Sequence, residues 1–142
     1  MAKKEIHTSI QIFAPIERVW QVLTDFENYK SWNPFIESIE GNVELGKTIR
    51  VRAGGMNFSP IVLDFDANDQ LKWRGKLVAD VLFSGEHYFR VEKVNDAETT
   101  FLHGEYFQGI LVSILSGKLE DTRLGFESMN QALKEECERK GI

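Results

Sequence analysis

His87, His103 and Glu105 are the residues of this chain whose types and spacing offer chemistry. His87 falls within Phe83-Ser84-Gly85-Glu86-His87-Tyr88-Phe89-Arg90-Val91, and the other two within Phe101-Leu102-His103-Gly104-Glu105-Tyr106-Phe107. An extended chain points successive side chains to opposite faces, so the face that carries Phe83, Gly85, Phe89 and Val91 also carries His87. By the same parity His103 and Glu105 share a face with Phe101 and Phe107. Two imidazoles and a carboxyl on an apolar face can orient the carbonyl or hydroxyl of a bound molecule, with Glu105 as a proton acceptor whose burial disfavours its charge. They can equally satisfy one another, as buried polar groups generally must. Pairing of the two segments through an Asn95-Asp96 turn sets His87 opposite either His103 or Glu105, and the sequence leaves both registers open. Two histidines and a glutamate can also hold a metal, but no close-spaced ligand motif accompanies them, and neither metal nor cofactor is expected.

These side chains need a sheet to hold them. Lys4 to Phe13 alternates, with Ile6, Thr8, Ile10 and Ile12 on one face, and reads as a first strand. Pro15 suits the first turn of a helix, and Ile16, Val19, Trp20 and Leu23 follow at helical spacing. Thr24-Asp25 ends that helix and caps a second short one over 26–31, before Trp32-Asn33-Pro34 forces an extended turn. From Phe35 to Phe107 strands alternate with turns at Gly46-Lys47, Gly54-Gly55, Asn68-Asp69 and Asn95-Asp96, giving strands near 35–41, 47–53, 58–66, 70–77, 82–92 and 99–109. With the first, seven strands form one curved antiparallel meander. The period then changes. Leu115, Leu119, Thr122, Phe126, Met129, Leu133 and Cys137 step by three and four along one side of a long C-terminal helix. Only the concave face of the sheet is large enough to bury that stripe, so the expected fold is α+β, a sheet gripping a helix, in a single domain over residues 1–142.

Composition narrows the partners. At 142 residues one core is expected, and 10 Phe, 3 Trp and 3 Tyr supply large side chains to fill it or to line a cavity. The net charge of -5, with 17 Lys and Arg scattered among 22 acids, lacks the dense positive footprint that nucleic acid requires. No apolar run is long enough to span a membrane, no signal-like stretch follows Met1, and the single Cys137 forms no internal disulfide, which fits a cytoplasmic protein. Nothing in the sequence fixes the oligomeric state. There is no Gly-rich phosphate loop, G-x-S-x-G elbow or H-E-x-x-H, and Cys137 on the helix stripe reads as a small buried hydrophobe rather than a nucleophile.

Ala14-Pro15, Val19-Trp20, Leu23-Thr24-Asp25-Phe26, Trp32-Asn33-Pro34-Phe35, Gly46, Leu71 to Gly75, Gly85 to Phe89, Thr100 to Glu105 and Phe126 to Leu133 together resemble the START-like (SRPBCC) superfamily. Within it the chain is similar to the polyketide cyclase and dehydrase-like group related to the birch-pollen allergen. The resemblance implies a helix-grip domain with a cavity between sheet and long helix for lipids, polyketides or other flat apolar molecules, and it implies no reaction. On strand parity and this resemblance, the expected function is binding or transport of a small apolar or amphipathic molecule. Trp73, Phe83, Phe89, Phe101, Phe107, Phe126, Met129 and Leu133 form the apolar wall, and His87, His103 and Glu105 the polar end. Phe58 is a further candidate to reach the cavity, while Lys72 and Arg74 face out. The apolar segment Gly109 to Gly117 and the turn Gly54-Gly55-Met56 are candidates for its mouth, or plain helix packing and turn chemistry. Two alternatives stand beside it: a cyclase or dehydratase using Glu105 or a histidine as acid-base, and a protein-interaction module. The latter requires an exposed apolar patch over a filled interior, against which the polar Thr48, Arg50 and Arg52 argue.

Overall fold

The computed structural model describes residues 3–76, 84–109, 112 and 116–139. Phe83 of the expected wall lies outside the described residues, as do Leu115 of the helix stripe and Ile110, Leu111, Ser113 and Ile114 of the apolar segment.

The first strand, β1 (Lys3–Ile12), is followed by α1 (Ile16–Thr24), a single 3-10 turn (Phe26–Asn28) and α2 (Tyr29–Trp32). Pro15 precedes the first helical residue, and its carbonyl accepts the N–H groups of Arg18 and Val19. The expected second helix over 26–31 is therefore split and displaced. It stops at Trp32 because Asn33, restricted by the following proline, is extended (φ -87, ψ 113). Its Oδ1 accepts the N–H groups of Phe35 and Ile36 at 2.9 and 2.8 Å, and this aims Phe35 inward.

The strands that follow are β2 (Ile36–Glu40), β3 (Arg50–Ala53), β4 (Met56–Phe58), β5 (Ile61–Asp66), β6 (Gln70–Lys76), β7 (Ser84–Asn95) and β8 (Glu98–Gln108). Among the described residues, eight strands in two sheets replace the expected seven in one. Five are ordered β1-β8-β7-β6-β5 and three β2-β3-β4, all antiparallel. Pro60 is the physical reason: lacking an N–H, it breaks the strand expected over 58–66 into β4 and β5. Residues 46–49 then leave the small sheet and run along the free edge of β5, where Ile49 N–H donates to the Pro60 carbonyl and Val62 N–H to that of Lys47, each at 2.9 Å. This bridge makes one curved wall of the two sheets.

The long helix α3 (Ser116–Glu138) lies across the wall, packed on β1, α1 and β8. Its stripe is buried as expected at Leu119, Phe126, Met129, Leu133 and Cys137, and Asn130 is buried among them. The interior falls into two clusters. The larger gathers Trp73, Leu71, Phe89, Phe101, Met129 and Leu133 with the side chains of α1 and β3. The smaller gathers Ile6, Phe107, Val112, Leu119 and Phe126. Phe35 packs against both. Its ring occupies the room left by Gly125 on α3, where any Cβ would overlap it, and meets Phe126 edge-on at 5.4 Å. Phe35 is partly buried, so it contributes less than a fully buried side chain of this size, which contributes about 1.5–3 kcal/mol.

Candidate functional site

The register of β6, β7, β8 and β1 decides what the polar residues do. His87 lies opposite Glu105, and Phe89 opposite His103. Trp73 is the neighbour of His87 on β6, while Ile6 and Thr8 face Glu105 and His103 on β1. Directly opposed residues share a face, so all of these line the inner side of the five-stranded sheet, under α3.

On that face the sheet brings together the three residues that strand parity singled out. His87 Nε2 is 2.7 Å from His103 Nε2, reached diagonally across the β7–β8 pair. His103 Nδ1 is 2.8 Å from Asn130 Oδ1 on α3, and Asn130 Nδ2 donates to Thr8 Oγ1 at 2.8 Å. The Thr8 hydroxyl donates in turn to the backbone carbonyl of His103 at 2.6 Å. At the other end, His87 Nδ1 stands 3.5 Å from Glu105 Oε1, an approach too long for a good hydrogen bond. Neither Thr8 nor Asn130 emerges from sequence reasoning as a site residue. The signal for both was present, since Thr8 lies on the inward face of the first strand and Asn130 is a polar residue four positions after Phe126 on the stripe.

The donor and acceptor roles follow from one end. A backbone carbonyl only accepts, so the Thr8 hydroxyl spends its proton there and must accept from the Asn130 amide nitrogen. Asn130 Oδ1 then takes the proton on His103 Nδ1. Neutral His103 therefore holds its Nε2 as a lone pair, and His87 must donate Nε2–H to it. This leaves the lone pair of His87 on Nδ1, facing Glu105.

Burial fixes the charges. His87 and His103 are 5% and 0% exposed. Desolvation drives the His87 pKa well below its ordinary value, with a further push from His103, and lowers that of His103 to about 3. Desolvation also raises the Glu105 carboxyl to about 8, so at neutral pH the row is uncharged and Glu105 keeps its proton. Glu105 has room for this because Gly85 faces it: a Cβ at Gly85 would overlap Oε2 and lie 3.4 Å from the Phe107 ring.

Aromatic rings enclose the imidazoles. Phe126 stacks on His103 at 4.1 Å and Phe89 on His87 at 4.4 Å, while Trp73 tilts against His87 at 5.2 Å. Of the expected wall, Trp73, Phe89, Phe101, Met129 and Leu133 are buried in the larger cluster, and Phe107 and Phe126 in the smaller. Phe58 departs from expectation. It shares the inner face of the small sheet with its partner Val51, yet it is 42% exposed, and Met56 opposite buried Ala53 is 44% exposed. β4 is an edge strand with no described neighbour beyond it, so the inner apolar face is uncovered there. Gly54 and Gly55, at φ 57 and 78, form the turn that leads into it, and Gly54 abuts the Phe35 ring. The two clefts described on the surface, of about 270 Å³ beside Glu5, Arg74, Glu86 and Tyr106 and about 490 Å³ beside Phe26, Lys30, Glu37 and Ile39, do not include the histidine row.

The opposite face of the same sheet carries a second polar group. His7 lies 2.7 Å from both the Tyr88 hydroxyl and Glu5 Oε1, and Tyr88 crosses the strand over Gly104, where any Cβ would overlap its ring. Cys137 is buried, and burial pushes its thiol up to about 12. Among the described residues no cluster of His, Cys, Asp or Glu is arranged to hold a metal ion, and no helix is long and apolar enough to cross a membrane.

Comparison with known proteins agrees with this architecture. Residues 3–138 match the family model described as polyketide cyclase / dehydrase and lipid transport. No curated protein matches the sequence. Among solved structures, the chain is similar to the Zhui aromatase/cyclase of Streptomyces sp. R1128, with 18% identity and a TM-score of 0.79 over 98% of this chain and 96% of that one. A hypothetical protein of Helicobacter pylori superposes with 17% identity and a TM-score of 0.80 over 94% and 88%. Norcoclaurine synthase of Thalictrum flavum, in complex with dopamine and hydroxybenzaldehyde, does so with 14% identity and a TM-score of 0.74 over 99% and 90%. At these identities the likeness is one of fold, the helix-grip arrangement of α3 on the antiparallel wall.

Proposed function

We propose, from the premise that the chain belongs to the polyketide cyclase / dehydrase and lipid transport family, that it binds a small apolar or amphipathic molecule between α3 and the inner face of its sheets. The observation that carries this reading is the uncovered inner face at Met56 and Phe58, which leads by Gly54 and Phe35 to Phe126 and the polar row. An apolar face that ends in a few convergent polar groups is the usual make-up of a small-molecule site. Phe35 occupies the passage, and a ligand reaches Glu105 by displacing its ring. Trp73, Phe89, Phe101, Phe107, Met129 and Leu133 serve as the wall behind it.

The test is native mass spectrometry of the purified chain followed by organic extraction, together with titration by the neutral fluorescent probe N-phenyl-1-naphthylamine. A co-purifying lipid or aromatic molecule, or saturable probe binding that tightens in Phe35→Ala, supports the reading. A protein that is empty and ignores the probe overturns it and shifts the weight to a protein-interaction role for the exposed Met56 and Phe58.

A second reading, acid-base turnover of the cyclase or dehydratase kind, is favoured by the placement of the Glu105 carboxyl, raised by desolvation to about 8, at 3.5 Å from His87 Nδ1. The Glu105→Gln variant separates the two. Turnover disappears in the second reading, whereas in the first only affinity shifts.

A further inference from the structure

We infer that this site selects ligands by a hydrogen-bond donor they carry, a phenol, alcohol or N–H, and disfavours apolar molecules that offer only a carbonyl or ether oxygen. The inference rests on the binding reading above and adds the chemical class of its ligand.

The argument is one of direction. Each hydrogen bond of the row donates inward: Thr8 to the His103 carbonyl, Asn130 to Thr8, His103 Nδ1 to Asn130, and His87 Nε2 to His103. The sequence of arrows cannot be reversed, because it starts from a backbone carbonyl that has no proton to give. It ends on His87 Nδ1, a lone pair that faces Glu105 Oε1 at 3.5 Å. One proton serves that pair. Oε1 is the oxygen that faces this acceptor, so the proton is assigned to it, directed at His87; passed to His87, it leaves a carboxylate. In both placements Oε2 bears lone pairs and no hydrogen. Oε2 lies over Gly85, and among the described residues Glu105 makes no hydrogen bond. The Glu105 side chain is 16% exposed against 7% for His87, so it is the open end of the row. A molecule arriving over Phe126 and Phe107 thus meets an acceptor. Its own O–H or N–H is satisfied there, whereas a ketone or ether oxygen is desolvated with no partner.

The test uses the full chain and two probes matched in shape, 2-naphthol and 2-methoxynaphthalene, titrated by calorimetry at pH 7. Wild type is expected to bind the naphthol about tenfold more tightly, the effect of one net buried hydrogen bond. Glu105→Gln is expected to keep that preference, because its amide nitrogen donates to His87 while its carbonyl accepts from the ligand. Glu105→Leu is expected to bind both alike. Equal or reversed affinities in wild type overturn the inference and leave the binding reading intact. Failure of both probes to bind overturns the reading and the inference with it. A preference that survives in Glu105→Leu removes Glu105 from the role. Should the leucine variant not fold, nitrogen-15 spectra of the wild-type histidine rings decide the direction. Protons on His103 Nδ1 and His87 Nε2 are expected, and a proton on His103 Nε2 reverses the row and overturns the inference.

Discussion

The two ends of the buried polar row are built to opposite standards. At the Asn130 end the polar side chains are bonded to one another: His103, Asn130 and Thr8 tie α3, β8 and β1 together by bonds of 2.6 to 2.8 Å. At the Glu105 end a carboxyl stands over a glycine, with one loose approach to His87 and, among the described residues, no hydrogen bond to its second oxygen. A satisfied network rigidifies a core, and an unsatisfied group inside a protein is either a cost or a place kept for something else. The same face thus carries a structural clamp and, a few ångströms away, a candidate binding end.

Breaking the clamp has the largest expected effect. Asn130→Leu strands the His103 Nδ1–H and removes the donor to Thr8, and is expected to lower unfolding free energy by about 3 kcal/mol in urea titration, since a buried polar group left unmatched costs on the order of 1–3 kcal/mol. A change below about 1 kcal/mol would show that this end is no clamp.

The open end responds with the opposite sign. Glu105 holds its proton in the folded chain up to about pH 8, whereas in the unfolded chain it releases it near 4.5. Between these values the folded state binds more protons, so this group's contribution falls as pH rises. The histidines, lowered on folding from 6.5, act in the other direction, and their contribution is complete above about 6.5. Stability is therefore expected to pass a maximum near pH 6.5 and to decline toward pH 8. Glu105→Gln is expected to abolish that decline, which amounts to on the order of 2 kcal/mol between pH 6.5 and 8. A flat profile in the wild type would mean that Glu105 is ionised at neutrality.

Gly85→Ala sharpens the contrast with a smaller effect. The added methyl overlaps Glu105 Oε2 and displaces the carboxyl at a cost of about 1 kcal/mol, as overpacking of a tight site does. Because the displaced carboxyl becomes more solvated, the decline between pH 6.5 and 8 is expected to shrink in the same variant. An unchanged profile would show that Gly85 has no part in holding Glu105.

How much of this was legible in the sequence differs from residue to residue. Alternation placed His87, His103 and Glu105 on one apolar face, and the three-four stripe from Leu119 to Cys137 marked the buried side of α3, because side-chain direction in strands and helices is set by local backbone geometry alone. The family resemblance supplied the helix-grip architecture. The strand expected over 58–66 ran through Pro60, whose missing N–H breaks it, and that this break divides one meander into two sheets, rejoined through residues 46–49, depends on where those residues find partners. Thr8 and Asn130 were each readable as polar residues on inward faces, with nothing to say that strands and helix distant in sequence would meet through them.

Residue types and periodicity by themselves thus determined which side chains face the interior and that two imidazoles and a carboxyl would be among them. Only the tertiary structure decided that His87 pairs with Glu105 in register while reaching His103 diagonally, that α3 brings Asn130 to close the row, and that a bare glycine leaves space for the acid. The reason is physical: facing is a property of one segment, whereas register, proton direction and pKa arise from distances between segments that only the folded chain fixes.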